Sequence, residues 1–129
     1  MAAEFEIIDV TPRDGLQNEP IIFSIEEKLQ LISRSIETGI SRIEVASFVN
    51  PKKVPQMANP EELLDELSTK KRASYSGLVL NERVFSRALD SDCDEITFVI
   101  VASDEFSLKN QGMTTAQSIE YISELLKNK

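Results

Sequence analysis

The sequence predicts an α/β fold made of four successive βα units, and three observations carry that reading. Short apolar runs alternate with amphipathic stretches four times along the 129 residues, at a spacing of roughly thirty. The amphipathic stretches open on side chains that cap helices. The polar segments fall after the strands, where open α/β sheets and (β/α)₈ barrels both bind their ligands.

Each element has a local reason. Residues 5–10, with Phe5, Ile7, Ile8 and Val10, form a largely apolar run after Glu4 that reads as a buried strand, ended by Pro12 and Gly15 in an irregular loop. Ser24 with Glu27 three residues on is a capping box, and Ile25, Leu29, Ile32 and Ile36 form one apolar helical stripe. Gly39 stops that helix as a C′ glycine does. Residues 42–45 make a second short strand, and a loop with Pro51 and Pro55 runs over 46–58. Asn59 and Pro60 read as N-cap and first helical residue, with Glu61 and Glu62 complementing the helix dipole. That helix ends near Lys70. Residues 73–80 are a third strand, and Asn81 caps a helix to about Leu89. Residues 95–101 are a fourth strand whose near-continuous apolar character predicts burial on both faces. A polar loop then runs to Met113. Thr114 and Gln117 form another capping box, opening a helix with the stripe Ile119, Ile122 and Leu126.

Composition sets limits on function. An apolar share of 41% with 28% charged residues fits one soluble globular domain. The formal charge of −8 argues against nucleic acid or an anionic membrane as partner. No apolar run is long enough to span a bilayer, and the start lacks a signal or transit pattern, so the expected compartment is the cytoplasm. A single cysteine, Cys93, rules out an internal disulfide. There is no histidine. No G-x-G-x-x-G and no P-loop follows any strand, which removes the common nucleotide-binding readings. An open doubly wound sheet and part of a (β/α)₈ barrel both remain.

Chemistry concentrates in Asp9-Val10-Thr11-Pro12-Arg13-Asp14-Gly15-Leu16-Gln17-Asn18-Glu19, where three carboxylates, one guanidinium and two amides follow a buried strand. An ordinary solvated βα loop is the plain alternative. This stretch resembles the opening signature of the metal-dependent TIM-barrel lyases and synthases, a superfamily that includes isopropylmalate and homocitrate synthases. A second stretch, Ile43-Glu44-Val45-Ala46-Ser47-Phe48-Val49-Asn50-Pro51-Lys52-Lys53-Val54-Pro55-Gln56-Met57, resembles hydroxymethylglutaryl-CoA lyases almost residue for residue. A third, Ala102-Ser103-Asp104-Glu105-Phe106-Ser107 with Asn110, stands where that family has a similar loop after its fourth strand.

The resemblance implies a (β/α)₈ TIM barrel of which residues 1–129 would be the first four βα units, a half-barrel of the pyruvate carboxyltransferase type. It implies a retro-Claisen cleavage of 3-hydroxy-3-methylglutaryl-CoA to acetyl-CoA and acetoacetate, as in leucine degradation. Asp14 would then be a ligand of Mg²⁺ or Mn²⁺, which favour carboxylate oxygens. Arg13 and Glu44 would be catalytic, with Arg13 facing the enolate oxygen. Arg13, Gln17 and Ser47 would contact substrate. Glu44 could instead be a structural partner of Arg42 or of Arg13. Lys52 and Lys53 read as solvated loop lysines. Cys93 does not match the family's mobile-loop cysteine and reads as a packing or surface residue.

The family implies further metal ligands from a His-x-His pair late in the barrel, and this sequence has none. The expectation is therefore an incomplete site: an acyl-CoA substrate, and a homo-oligomer or a need for a C-terminal half. A non-catalytic half-barrel and a Claisen-type synthase are the rival readings. Arg13, Asp14 and Glu44 are expected to converge at the carboxyl end of the sheet.

Overall fold

The computed structural model describes residues 4–127. Four parallel strands lie in sequential order, β1 (Ile8–Asp9), β2 (Arg42–Ser47), β3 (Ser74–Val79) and β4 (Glu95–Phe98). Between and after them run α1 (Ile25–Glu37), α2 (Pro60–Ser68), α3 (Glu82–Leu89), α4 (Asp104–Gln111) and α5 (Thr115–Lys127). This is the expected βα alternation, with one helix more than expected.

Most helix starts follow their sequence signals. Ser24 Oγ accepts from Glu27 N at 3.1 Å, Asn81 Oδ1 from Val84 N at 3.2 Å, and Thr114 and Gln117 bond reciprocally. Gly39 follows the end of α1 with φ of +101°, a conformation glycine adopts without a Cβ penalty. Asn59 stands at the N-cap of α2 as expected, but its backbone is left-handed (φ 59°) and its side chain makes no capping bond.

The core lies between the sheet and the helices, where Ile32, Ile43, Val45, Phe48, Leu63, Leu64, Val79 and Phe85 are buried. Gly77 in β3 makes room for it. A Cβ there would stand 2.7 Å from the Phe48 ring and 3.3 Å from Cys93 Sγ. Gly77→Ala is expected to overpack this point and cost about 1–3 kcal/mol, read as a lower urea midpoint with unchanged slope. At the amino end, Arg42 reaches across β3 to Glu95 (2.6 and 3.0 Å), and Ser74 Oγ donates to the same carboxylate at 2.8 Å. The guanidinium and the hydroxyl hold the Glu95 carboxyl below the usual carboxylate range.

Four expectations need correction. The first strand is not a buried run over 5–10: only Ile8 and Asp9 pair with β2, and Phe5, Ile7, Ile8 and Val10 are exposed. The fourth strand ends at Phe98 and is half-buried, with Ile100 exposed. Both are edge strands among the described residues, and apolar character alone cannot supply the neighbour that burial needs. Within the expected loop up to Met113 stands α4, capped by Ser103 Oγ on Phe106 N and ended by left-handed Gly112. It lacks an apolar stripe, so periodicity did not reveal it.

The fourth correction is the rotation of α5. Its buried positions are Ser118 and Leu125, with Tyr121 packed on the core, while Ile119 and Leu126 are exposed. Polar anchors set that rotation. Ser118 Oγ donates to Gln111 Oε1 at 3.1 Å, and Tyr121 Oη accepts from Glu82 N at 2.9 Å.

Candidate active site

The loop after β1 is more ordered than Pro12 and Gly15 suggest. Thr11–Gly15 wind into a five-residue π-helical turn, in which the amides of Arg13, Asp14 and Gly15 converge on the carbonyl of Val10. Proline suits the start of such a turn because its missing N–H is not needed there. Asp9 sets the entry. Its Oδ1 accepts from Thr11 N at 2.9 Å and its Oδ2 from Ser35 Oγ of α1 at 2.6 Å. Partial burial pushes the Asp9 carboxyl up, but these bonds together outweigh it and hold the group below the usual carboxylate range.

This turn aims Arg13 at β2. Arg13 Nε donates to Glu44 Oε1 at 2.5 Å, and Arg13 Nη1 stands 3.3 Å from Asp14 Oδ1 and 3.5 Å from Gln17 Oε1. Glu44 sits immediately before a register slip in which β2 carries one extra residue against β3 between Glu44 and Ala46. Bulges of this kind re-aim side chains next to functional sites. The Glu44 side chain is 7% exposed, Arg13 18% and Asp14 57%. The guanidinium is thus held from inside by one carboxylate and flanked outside by another. A fixed planar cation in this setting suits an oxygen that gains negative charge.

Arg13, Asp14, Gln17 and Glu44 therefore come together at the carboxyl end. Of the two structural partners open to Glu44, the geometry selects Arg13, because Arg42 lies at the other end of β2 with Glu95 and Glu6. Ser47 closes the same strand but is wholly buried, and its hydroxyl has no hydrogen-bond partner among the described residues. Lys52 and Lys53 are exposed on the loop. Cys93 is half-buried and donates to the carbonyl of Glu95 at 2.9 Å; burial pushes its thiol up to about 11, so it is a packing residue.

Two features went unread in the sequence. Asp9 stood in the motif without a role. Lys28 falls on the same helical face as Ile25 and Ile32, an odd place for a charge. It is 5% exposed.

The donor set does not amount to a metal centre. Among the described residues no three Asp, Glu, His or Cys side chains cluster closely enough to hold an ion. Asp14 presents one exposed carboxylate, and Glu44 is engaged by Arg13. Mg²⁺ or Mn²⁺ wants about six donors, so these residues fit a single ligand position.

Comparison with known proteins gives the family and the fold. The HMGL-like family model matches residues 4–128. The chain belongs to that family. It is 37% identical to (R)-citramalyl-CoA lyase of Chloroflexus aurantiacus over 88% of this chain and 39% of that protein. It is 36% identical to hydroxymethylglutaryl-CoA lyase of Pseudomonas mevalonii over 95% of this chain and 40% of that one. The crystal structure of the HMG-CoA lyase of Brucella melitensis superposes with a TM-score of 0.87 at 38% identity, over 98% of this chain and 45% of that chain. A structure of an HMG-CoA lyase from Acinetobacter baumannii in complex with coenzyme A and 3-methylmalate gives a TM-score of 0.85 at 35% identity, over 99% and 43%. The parallel four-stranded sheet matches the first half of these TIM-barrel structures. The chain spans less than half the length of the relatives it matches.

Proposed function

We propose that residues 1–129 supply the first half of a lyase that cleaves 3-hydroxy-3-methylglutaryl-CoA to acetyl-CoA and acetoacetate. The observation that carries this reading is the Arg13–Glu44 pair, 2.5 Å apart at the carboxyl end of the sheet, in a chain of the HMGL-like family. In the reaction a base takes the proton of the tertiary hydroxyl, whose oxygen becomes the ketone of acetoacetate. The bond between C2 and C3 breaks, its electron pair passes into the thioester enolate, and a proton returns to C2 to give acetyl-CoA. Arg13 faces the thioester oxygen as that charge grows. Glu44 is the positioning residue that locks the guanidinium plane. Gln17 orients substrate from the rim. Ser47 is wholly buried, so we place it behind these residues. Asp14 would contribute one oxygen to Mg²⁺ or Mn²⁺, and the ion would supply Lewis-acid polarisation of the substrate oxygens. The remaining ligands come from outside the described residues.

Among the described residues no helix is long and apolar enough to cross a membrane, and we place the reaction in the cytoplasm, as for the human relative named cytoplasmic. A second acyl group is favoured by the citramalyl-CoA relative. The test is product identity. The chain joined to the C-terminal half of a close relative, given each acyl-CoA in turn, should form acetoacetate with acetyl-CoA from 3-hydroxy-3-methylglutaryl-CoA. Turnover of (R)-citramalyl-CoA alone would transfer the proposal to that substrate. Condensation without cleavage would favour a synthase.

A further inference from the structure

We propose that Lys28 is a positioning residue for the site, the anchor of a strap that ties the loop after β2 to the loop after β1. Lys28 lies in the second turn of α1, which starts at the carboxyl end of the sheet. Its Nζ donates to the carbonyl of Gln56 at 2.7 Å, and Gln56 Nε2 donates onward to the carbonyl of Glu19 at 2.8 Å. Glu19 N in turn reaches Leu16 O, and Asn18 Nδ2 holds the carbonyl of Asp14 at 2.8 Å. The connection thus runs from a buried ammonium to the backbone of Asp14.

Stability does not account for a lysine here. The side chain is 5% exposed, it has no ion-pair partner among the described residues, and burial pushes its ammonium below the ordinary lysine range. Burying an uncompensated charge costs free energy, and an apolar residue of similar volume on this face would pack at no such cost. What the lysine adds is a strong donor that reaches a loop carbonyl a methionine could not hold. The turn it holds, Pro55–Met57, belongs to the loop that follows β2, and the segment at the far end carries Asp14 and Gln17. This assignment rests on reading that mouth as the substrate site, but its test does not use activity.

The test is amide hydrogen exchange on the 129-residue chain and its variants, with a parallel thermal melt. Lys28→Met removes the donor while keeping the volume. The expected result is exchange at least tenfold faster at Met57, Ala58 and Glu19, with a melting temperature unchanged or raised. In a Gln56→Ala background, Lys28→Met should add nothing further at Glu19, because the strap passes through Gln56. Lys28→Arg, which keeps a buried cationic donor, should restore protection at Met57. Exchange within twofold of the parent at all three amides would overturn the proposal. So would a fall in melting temperature with faster exchange throughout the helices, which would make Lys28 a structural residue only.

Discussion

Replacing Arg13 by methionine in the chain joined to a C-terminal half is expected to lower turnover about 10²- to 10³-fold, the usual effect of removing one preorganised donor from a developing oxyanion. The loss should fall on kcat rather than KM, because the guanidinium acts on charge that exists only in the transition state. Asp14→Ala should abolish turnover, since it removes the one exposed carboxylate of the site. A second effect of Arg13→Met must be separated from the first. Glu44 is 7% exposed and Arg13 is its partner, so the substitution strands a buried carboxylate. Breaking such a pair costs about 3–5 kcal/mol, a large part of a domain's stability. Arg13→Met with Glu44→Gln should therefore melt close to the parent and still be slow. A double variant that recovers both fold and activity would remove Arg13 from the chemistry.

The 129-residue chain on its own is expected to self-associate in spite of its charge of −8. β1 and β4 are the two edges of the sheet, and each has unpaired backbone groups on its outer side among the described residues. Around β1, Phe5, Ile7, Ile8 and Val10 are exposed; beyond β4, so are Ile100, Phe106 and Leu108. Open parallel edges flanked by apolar side chains are templates for another chain, and relatives of this family carry more than half their length beyond the matched part. Sedimentation velocity should show species that grow with protein concentration and with salt, as screening weakens repulsion between acidic copies. Ile7→Lys should shift the distribution toward monomer by placing a charge on the β1 edge. A compact monomer at all concentrations, unfolding cooperatively, would contradict this.

Local signals in the sequence read well, and non-local ones read poorly. α1 could be placed because its cap, its stripe and its terminal glycine all lie within sixteen residues of one another. The apolar runs at β1 and β4 state a preference for burial, whereas burial itself depends on a neighbouring strand. The rotation of α5 is not legible in its own stripe, because Gln111 and Glu82, on other elements, decide which face turns inward through Ser118 and Tyr121. The candidate site shows the same division. Its residue types were legible in one motif, but the partner of Glu44 was not. Arg13 and Arg42 are both open as partners in the sequence; the fold brings Arg13 from the turn after β1 to Glu44 and leaves Arg42, at the start of β2, with Glu95. Lys28 could have been found, since a helical wheel puts it beside Ile25 and Ile32.

On the proposed reading, Arg13 and Asp14 are the cation and one carboxylate of a lyase site whose remaining ligands would lie elsewhere. Release of acetyl-CoA from 3-hydroxy-3-methylglutaryl-CoA in the presence of Mg²⁺ or Mn²⁺ decides it. The assay compares the 129-residue chain with the same chain joined to a C-terminal half. The predicted result is no turnover above background for the chain alone, because Asp14 by itself would fill one of about six positions around the metal ion, and clear turnover for the joined protein. Robust turnover by the chain alone would contradict the account, as would a joined protein that folds and binds the substrate yet does not cleave it.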